Sequence, residues 1–410
     1  MEYFVSRQPI FKIDSSIIGY RLRFQDDIEN TLLKMSFSIE ENDQSNEIAM
    51  SFFELTAGKL AFVDFGPNAI KSLMPKNLDP DHLVINIDAS QSPDKKQLSA
   101  LLALYDLGYS LCLENLNDEL AWKSLYPSVA YMTLHVDVSN SNDFFRIVDC
   151  VGMYPNIKLI ATSVEDKASH AAAVQVGFSY FEGIFFSKPE ILMSRAMSPA
   201  ATTLAELLYL TSSSNVELLK IVEIVQRDVY LTYKILSYAN TVFFKRREEV
   251  STIKQAVITL GLVELKRFIS ILFTTQLSHG RSKELVRLSL FRGKFCESLI
   301  ALELHKSATE QVCAEAFLVG LLSLLEAMFN EPIELTLKKL SLSKNIISAI
   351  LKKEGSVGAY LQLAMVSENG DWQEALKMAI TLKISKDDLI KVNSTSLLWA
   401  NKQMAILHID

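Results

Sequence analysis

The chain has 410 residues, enough for two or three domains with sizeable cores. Its 49% hydrophobic and 22% charged residues make an ordinary globular composition and exclude a collagen or low-complexity chain. A net charge of −7 argues against a surface built to coat nucleic acid. The charge is uneven: residues 1–195 hold 16 basic and 26 acidic side chains, net −10, and the remaining 25 and 22 give net +3. That change of sign suggests two units of different character.

The chain opens Met-Glu-Tyr-Phe-Val-Ser-Arg-Gln-Pro, with no basic n-region ahead of an apolar run, so no secretory signal is expected. Short β-rich runs follow at 4–11, 17–24, 59–65, 83–89, 109–115, 130–138, 157–163 and 181–186. Most are solidly apolar, as strands buried on both faces are. Helical spacing lies between them, at Lys95 to Asp106 and Glu165 to Val176. This rhythm predicts a parallel α/β sheet, and about eight strands in this length favours a closed barrel. The first two runs, joined by Lys12 to Ser16, read as a hairpin, so the barrel is not all parallel. Residues 39–47 (IEENDQSNE) are acidic and apolar-poor, and read as a loop.

From Pro199 onward the period is 3.6 residues. Leu204, Leu207 and Leu208 share one face; Val216, Leu219 and Val222 share another; Ile221, Ile224 and Val225 a third. Asn215 reads as an N-cap, Thr252 with Gln255 as a capping box, and Gly261 as a helix end. This half is predicted to be an all-α bundle. The apolar run Ala316 to Leu325 is too short for a membrane span of about 20 residues and reads as a buried helix. Cys112, Cys150, Cys296 and Cys313 are far apart and form no Cys-x-x-Cys pair, which points to reduced thiols and a cytoplasmic setting.

These residues carry a family resemblance. "RQPIF…IIGYRLRF", "GYSLCLENLND", "LHVDVS", "IATSVED" and "GFSYFEGIFFSKPE" resemble, in order, the EAL domain, a barrel that hydrolyses cyclic di-GMP. "VQRDVYLTYKILSYANT", "TIKQAVITLG" and "AFLVGLLSLLEAM" resemble the HDOD domain. The resemblance covers nearly the whole chain. It implies an EAL-like (β/α) TIM-type barrel with an antiparallel first strand pair over 1–190, a linker at 191–198 and a helical HDOD bundle over 199–410.

The resemblance also implies a degenerate site. An active EAL enzyme holds two divalent cations on carboxylates. Here the naming Glu falls on Arg21, whose fixed positive charge opposes a metal. A phosphate-gripping Arg falls on Gln25, an Asn on Asp64, and a Glu on Asn86 with Asp88 two residues on. A paired Asp-Asp falls on Glu114 and Asn115. A Lys falls on His135, with Asp137 kept; a Glu on Thr162, with Glu165 kept; and a late Gln on Glu182. Arg21 paired with Glu114 or Glu182 is expected to plug the former metal site; a reworked metal site and plain solvated acids stay open. In the helical half the His-Asp pair of related hydrolases falls on Ser323 and Leu324. Asn240 is expected to hold a helix end.

Lys245, Arg246, Arg247, Arg281, Arg287, Arg292 and Lys294 form a candidate docking surface, set against the alternative of a solvated helix face. Neither a metal nor another cofactor is expected, and no enzyme activity. The predicted role is a signalling protein working through other signalling proteins, with a homo-oligomer left open. Nucleic acid, membrane and cyclic di-GMP are not expected among its ligands. A barrel that still binds cyclic di-GMP, or still hydrolyses it, is the alternative.

Overall fold

A computed structural model describes residues 5–24, 52–116, 119–135, 152–183, 199–212, 218–240, 250–278, 282–304, 309–329, 333–334, 337, 340 and 342–407. The chain divides into two compact units. One comprises Met1–Lys188 with Val366–Ser394, the other Pro189–Met365 with Thr395–Asp410. The loop at 39–47, the linker at 191–198, Cys150 and Asn215 lie outside the described residues.

The first unit contains a closed barrel of β1 (Val5–Lys12), β2 (Ile17–Phe24), β3 (Leu60–Asp64), β4 (Leu83–Asp88), β5 (Ser110–Glu114), β6 (Val129–His135), β7 (Lys158–Thr162) and β8 (Tyr180–Glu182), in that spatial order. All eight expected strands occur. β1 pairs antiparallel with both β2 and β8; every other pairing is parallel. The reversal is made by a tight turn, in which Ser15 takes φ 62° and the Asp14 carboxylate accepts from the Ser16 N–H at 2.9 Å. Such Asx turns let a short polar side chain stand in for backbone.

Helix α1 (Lys95–Asp106) starts on Asp94, whose side chain accepts from the Gln97 N–H. Helix α2 (Lys167–Val176) starts on a reciprocal capping box of Asp166 and Ser169. Ile10, Phe62, Val84, Cys112, Tyr131 and Ile160 fill one tier of the barrel core.

In the second unit α3 (Pro199–Ser212) buries Leu204, Leu207 and Leu208. Helix α4 (Leu218–Gln226) buries Ile221, Ile224 and Val225, whereas Leu219, expected on an apolar face, is exposed. Helix α5 (Val229–Ala239) is capped by Asp228 and ends at Asn240. Asn240 donates to the Val250 carbonyl and accepts from its N–H, both at 2.8 Å, so it holds the helix end as expected. Helix α6 (Ile253–Leu277) starts on Thr252, and its backbone breaks at Gly261 (φ 73°). Helices α7 (Lys283–Leu304) and α8 (Glu310–Leu322) follow; in α8 the apolar run from Ala316 is buried. No helix among the described residues is long and apolar enough to cross a membrane.

Back in the first unit, α9 (Trp372–Thr381) starts on Asp371, which accepts from the Glu374 N–H. Nearby, Asn393 donates to the Val5 carbonyl of β1 at 3.0 Å in a buried contact.

Helices α7 and α8 touch where glycine leaves room. A Cβ on Gly320 would lie 2.2 Å from the Arg292 carbonyl oxygen, and one on Gly293 would lie 2.9 Å from the Phe317 ring. Gly320→Ala must therefore push two backbones apart. Although alanine favours a helix by about 1 kcal/mol, the variant is expected to lose roughly 1–3 kcal/mol of stability in urea unfolding. Unchanged stability would contradict that close packing.

Candidate functional site

In a strand, residues two apart share a face. The apolar tier therefore dictates what lies above it. Two residues beyond Phe62 stands Asp64, beyond Val84 Asn86, beyond Cys112 Glu114, and beyond Ile160 Thr162. Asp64, Asp88, Glu114, His135, Thr162 and Glu182 are the last residues of β3 through β8. A polar rim thus crowns an apolar core at the strands' C-terminal ends, where barrels of this class carry their sites.

Arg21 reaches into this rim from β2. Its side chain is only 5% exposed. Nε donates to both oxygens of Glu182, at 3.1 and 3.0 Å, and Nη1 pairs with Glu114 and lies 3.5 Å from Asp64. Glu182 is itself 4% exposed. Asn86 donates to Asp64 at 2.9 Å, and Asn115, at φ 50°, donates to Asp88 at 3.3 Å. Arg21 thus pairs with both carboxylates that sequence reasoning offered it.

Electrostatics follow from this packing. Burial works against the Arg21 charge, but Glu182, Glu114 and Asp64 outweigh it, and its pKa is pushed up. Burial raises the Glu114 carboxyl to about 7, with Arg21 pulling it down and Asp64 and Glu182 adding to the rise. Burial also holds the Cys112 thiol well above its ordinary value, so it is a core filler rather than a nucleophile.

A cavity of about 630 Å³ opens beside the rim. It is lined by Arg23, Asp64, Asn86, Asp88, Glu114 and Asn115 together with Phe24, Phe65 and, from the C-terminal segment, Gly370 and Trp372. Sequence reasoning did not find Arg23, Gly370 or Trp372. Nothing local marks them, since Trp372 comes to the barrel from 190 residues beyond Glu182, the end of its last strand.

The other candidates fall elsewhere. His135 is exposed at the end of β6, and Thr162 turns to the Leu134 carbonyl at 3.3 Å. Glu165 is exposed beyond β7 and does not line the cavity. Gln25 and Asp137 lie outside the described residues, as do Lys245, Arg246, Arg247 and Arg281. The docking-surface expectation is corrected for the rest. Arg287 and Arg292 are buried: Arg287 pairs with Glu284 at 3.1 Å and donates to Asn401, and Arg292 donates to Ser323 at 3.1 Å. Lys294 pairs with Glu297 at 2.9 Å. Ser323 caps α8 through the Gly320 carbonyl, and Leu324 is buried.

The rim does not fit the metal pair implied by the resemblance. Arg21 stands among the carboxylates as a fixed positive charge that opposes a metal, and among the described residues no three His, Cys, Asp or Glu side chains are placed to hold a metal ion.

Comparison with known proteins now adds to the geometry. Residues 197–329 match the HDOD domain. Over 405 residues the chain is 27% identical to the cyclic di-GMP phosphodiesterase CdgJ of Vibrio cholerae serotype O1, covering 96% of this chain and 92% of that protein. It is also 27% identical to the uncharacterized protein YuxH of Bacillus subtilis, covering 98% and 99%. Among solved structures, an EAL domain protein of Listeria monocytogenes aligns with 45% of this chain and 87% of its own, at 16% identity and a TM-score of 0.34. The expectation of no enzyme activity is overturned by the match to CdgJ, which runs nearly end to end and carries the name of a phosphodiesterase.

Two outcomes test the rim. Arg21→Ala strands buried carboxylates and is expected to cost about 3–5 kcal/mol in urea unfolding; a loss near zero would remove the central role assigned to this ion pair. For Glu114, the native state keeps a proton between about pH 4.5 and 7 that the unfolded chain has lost, so stability falls as pH rises through that window. Glu114→Gln is expected to abolish this contribution, up to about 3 kcal/mol. Identical pH profiles for variant and wild type would show that Glu114 titrates normally.

Proposed function

The chain has the EAL–HDOD organisation, and from that premise we propose that it acts in cyclic di-GMP signalling and delivers its output through contacts with partner proteins. The cyclic di-GMP part is supported by the near full-length similarity to CdgJ. The observation that carries the contact part is α5. Val229 is 83% and Tyr233 61% exposed, one helical turn apart, with Tyr230 beside them. Large apolar side chains grouped in water mark interaction surfaces, and Asp228 fixes this end of the helix with two hydrogen bonds from backbone N–H groups. A cytoplasmic setting belongs to this reading, supported by the free thiols of Cys112, Cys296 and Cys313.

The similarity to CdgJ favours a second reading, in which the barrel itself acts on cyclic di-GMP. There Glu114 is the group suited to exchanging a proton near neutrality, and Arg21 fixes its position.

Cells lacking the chromosomal copy separate the two. Val229→Asp combined with Tyr233→Asp, at unchanged thermal stability, is expected to abolish the effect on cyclic di-GMP-dependent behaviour, and Glu114→Gln to preserve it. The reverse pattern, with linear dinucleotide formed in vitro by wild type and lost in Glu114→Gln, would move the output to barrel chemistry.

A further inference from the structure

Helix α1 buries Gln97, Ala100, Leu101 and Leu104 and leaves its opposite face in water. At about 3.6 residues per turn, Lys95, Ser99, Leu102 and Asp106 fall in one row along the middle of that face. All four are exposed, and Tyr105 stands exposed beside them. Leu102 is 42% and Tyr105 46% exposed, large apolar area for a helix in water. The charges of the row oppose the helix's own dipole, which favours anions at the N-terminus and cations at the C-terminus. Lys95 and Lys96 open the helix, and Asp106 closes it. No neighbour corrects this. Lys71 is taken by the cap residue Asp94 at 2.5 Å, and among the described residues neither Lys95 nor Asp106 has an ion-pair partner.

We propose that this face is a self-association surface, on which α1 pairs antiparallel with α1 of a second copy about a two-fold axis level with the middle of the helix. A two-fold interface uses one patch twice, so the patch must complement itself. This one does. The axis sets Lys95 of each copy against Asp106 of the other, Leu102 over the small Ser99, and the Tyr105 ring beside Lys96. The antiparallel sense also brings each Asp106 to the positive N-terminal end of the other helix, and each Lys95 to its negative C-terminal end. Charges that weaken the lone helix thus strengthen the pair. A parallel pair would set lysine against lysine and aspartate against aspartate. Helices of 12 residues cover less than the roughly 800 Å² per partner of a standard interface, so the dimer is expected to dissociate at micromolar concentration. The surface belongs to the barrel unit and does not rest on the α5 reading.

Sedimentation velocity on the full chain across roughly 1–200 µM tests this. Wild type is expected to pass from monomer to dimer over that range, and less readily in added salt, as charge pairing requires. Lys95→Glu alone sets acid against acid, and Asp106→Lys alone sets base against base. Each is expected to raise the dissociation constant at least tenfold. Each also improves the fit of charge to dipole within its own helix, so neither is expected to lower the melting temperature. An equimolar mixture of the two single variants restores opposite charges at both ends and is expected to associate again. Monomer throughout overturns the proposal, as do single variants that associate like wild type or a mixture that stays monomeric. Association that survives both α1 variants and is lost on combining Val229→Asp with Tyr233→Asp would place the dimer on α5 and overturn it too.

Discussion

A guanidinium that cannot lose its proton sits inside the barrel mouth, and the barrel is arranged around that fact. Burying a cation costs several kcal/mol unless anions meet it. Arg21 finds them on β8 and β5, two strands that neighbour neither β2 nor each other. The pairings therefore exist together only when the sheet is closed. The ion cluster is a check on closure as much as a source of stability, because a half-formed barrel would leave a charge buried and unmatched.

The second unit meets the same constraint in helices. Arg287, Arg292, Arg267 and Lys294 each find an acid or hydroxyl, in Glu284, Ser323 and Glu297. Arg267 also lies over the Phe317 ring, 5.2 Å from its centre. Long basic side chains bury their stems along apolar surface and send only the head to a partner. Arg287, Arg292 and Lys294, which read along the chain as part of a loose run of positive charge, are in three dimensions internal braces.

That contrast explains what was legible in the sequence. Strands announce themselves because both their faces are apolar, so β1 to β8 were found from pattern, and the end-of-strand position of Asp64, Asp88, Glu114 and Glu182 followed from the two-residue period. Caps were legible for the same local reason, at Thr252 and Asn240. The pairing of Arg21 was foreseeable once the barrel was, because few partners face one another across its mouth. The inward turn of Arg287 and Arg292 was not, since a charge pattern carries no information about which helix face is covered. Nor was the part played by Trp372. Helical periodicity over 372–381 is the same whatever surface the helix lies on.

Residues Val366–Ser394 belong to the barrel unit although most of the other unit precedes them in the chain. Synthesis runs from the N-terminus, and domains ordinarily fold as they emerge. Here the hydrogen bond that Val5 accepts from Asn393 and the wall that Trp372 adds to the cavity come only after residues 189–365 of the other unit have been made. The first unit to be begun is thus completed only after most of the other has been made. A nascent chain halted before residue 394 carries a barrel without its final support, which makes the integrity of the cavity a report on whether synthesis has passed that point.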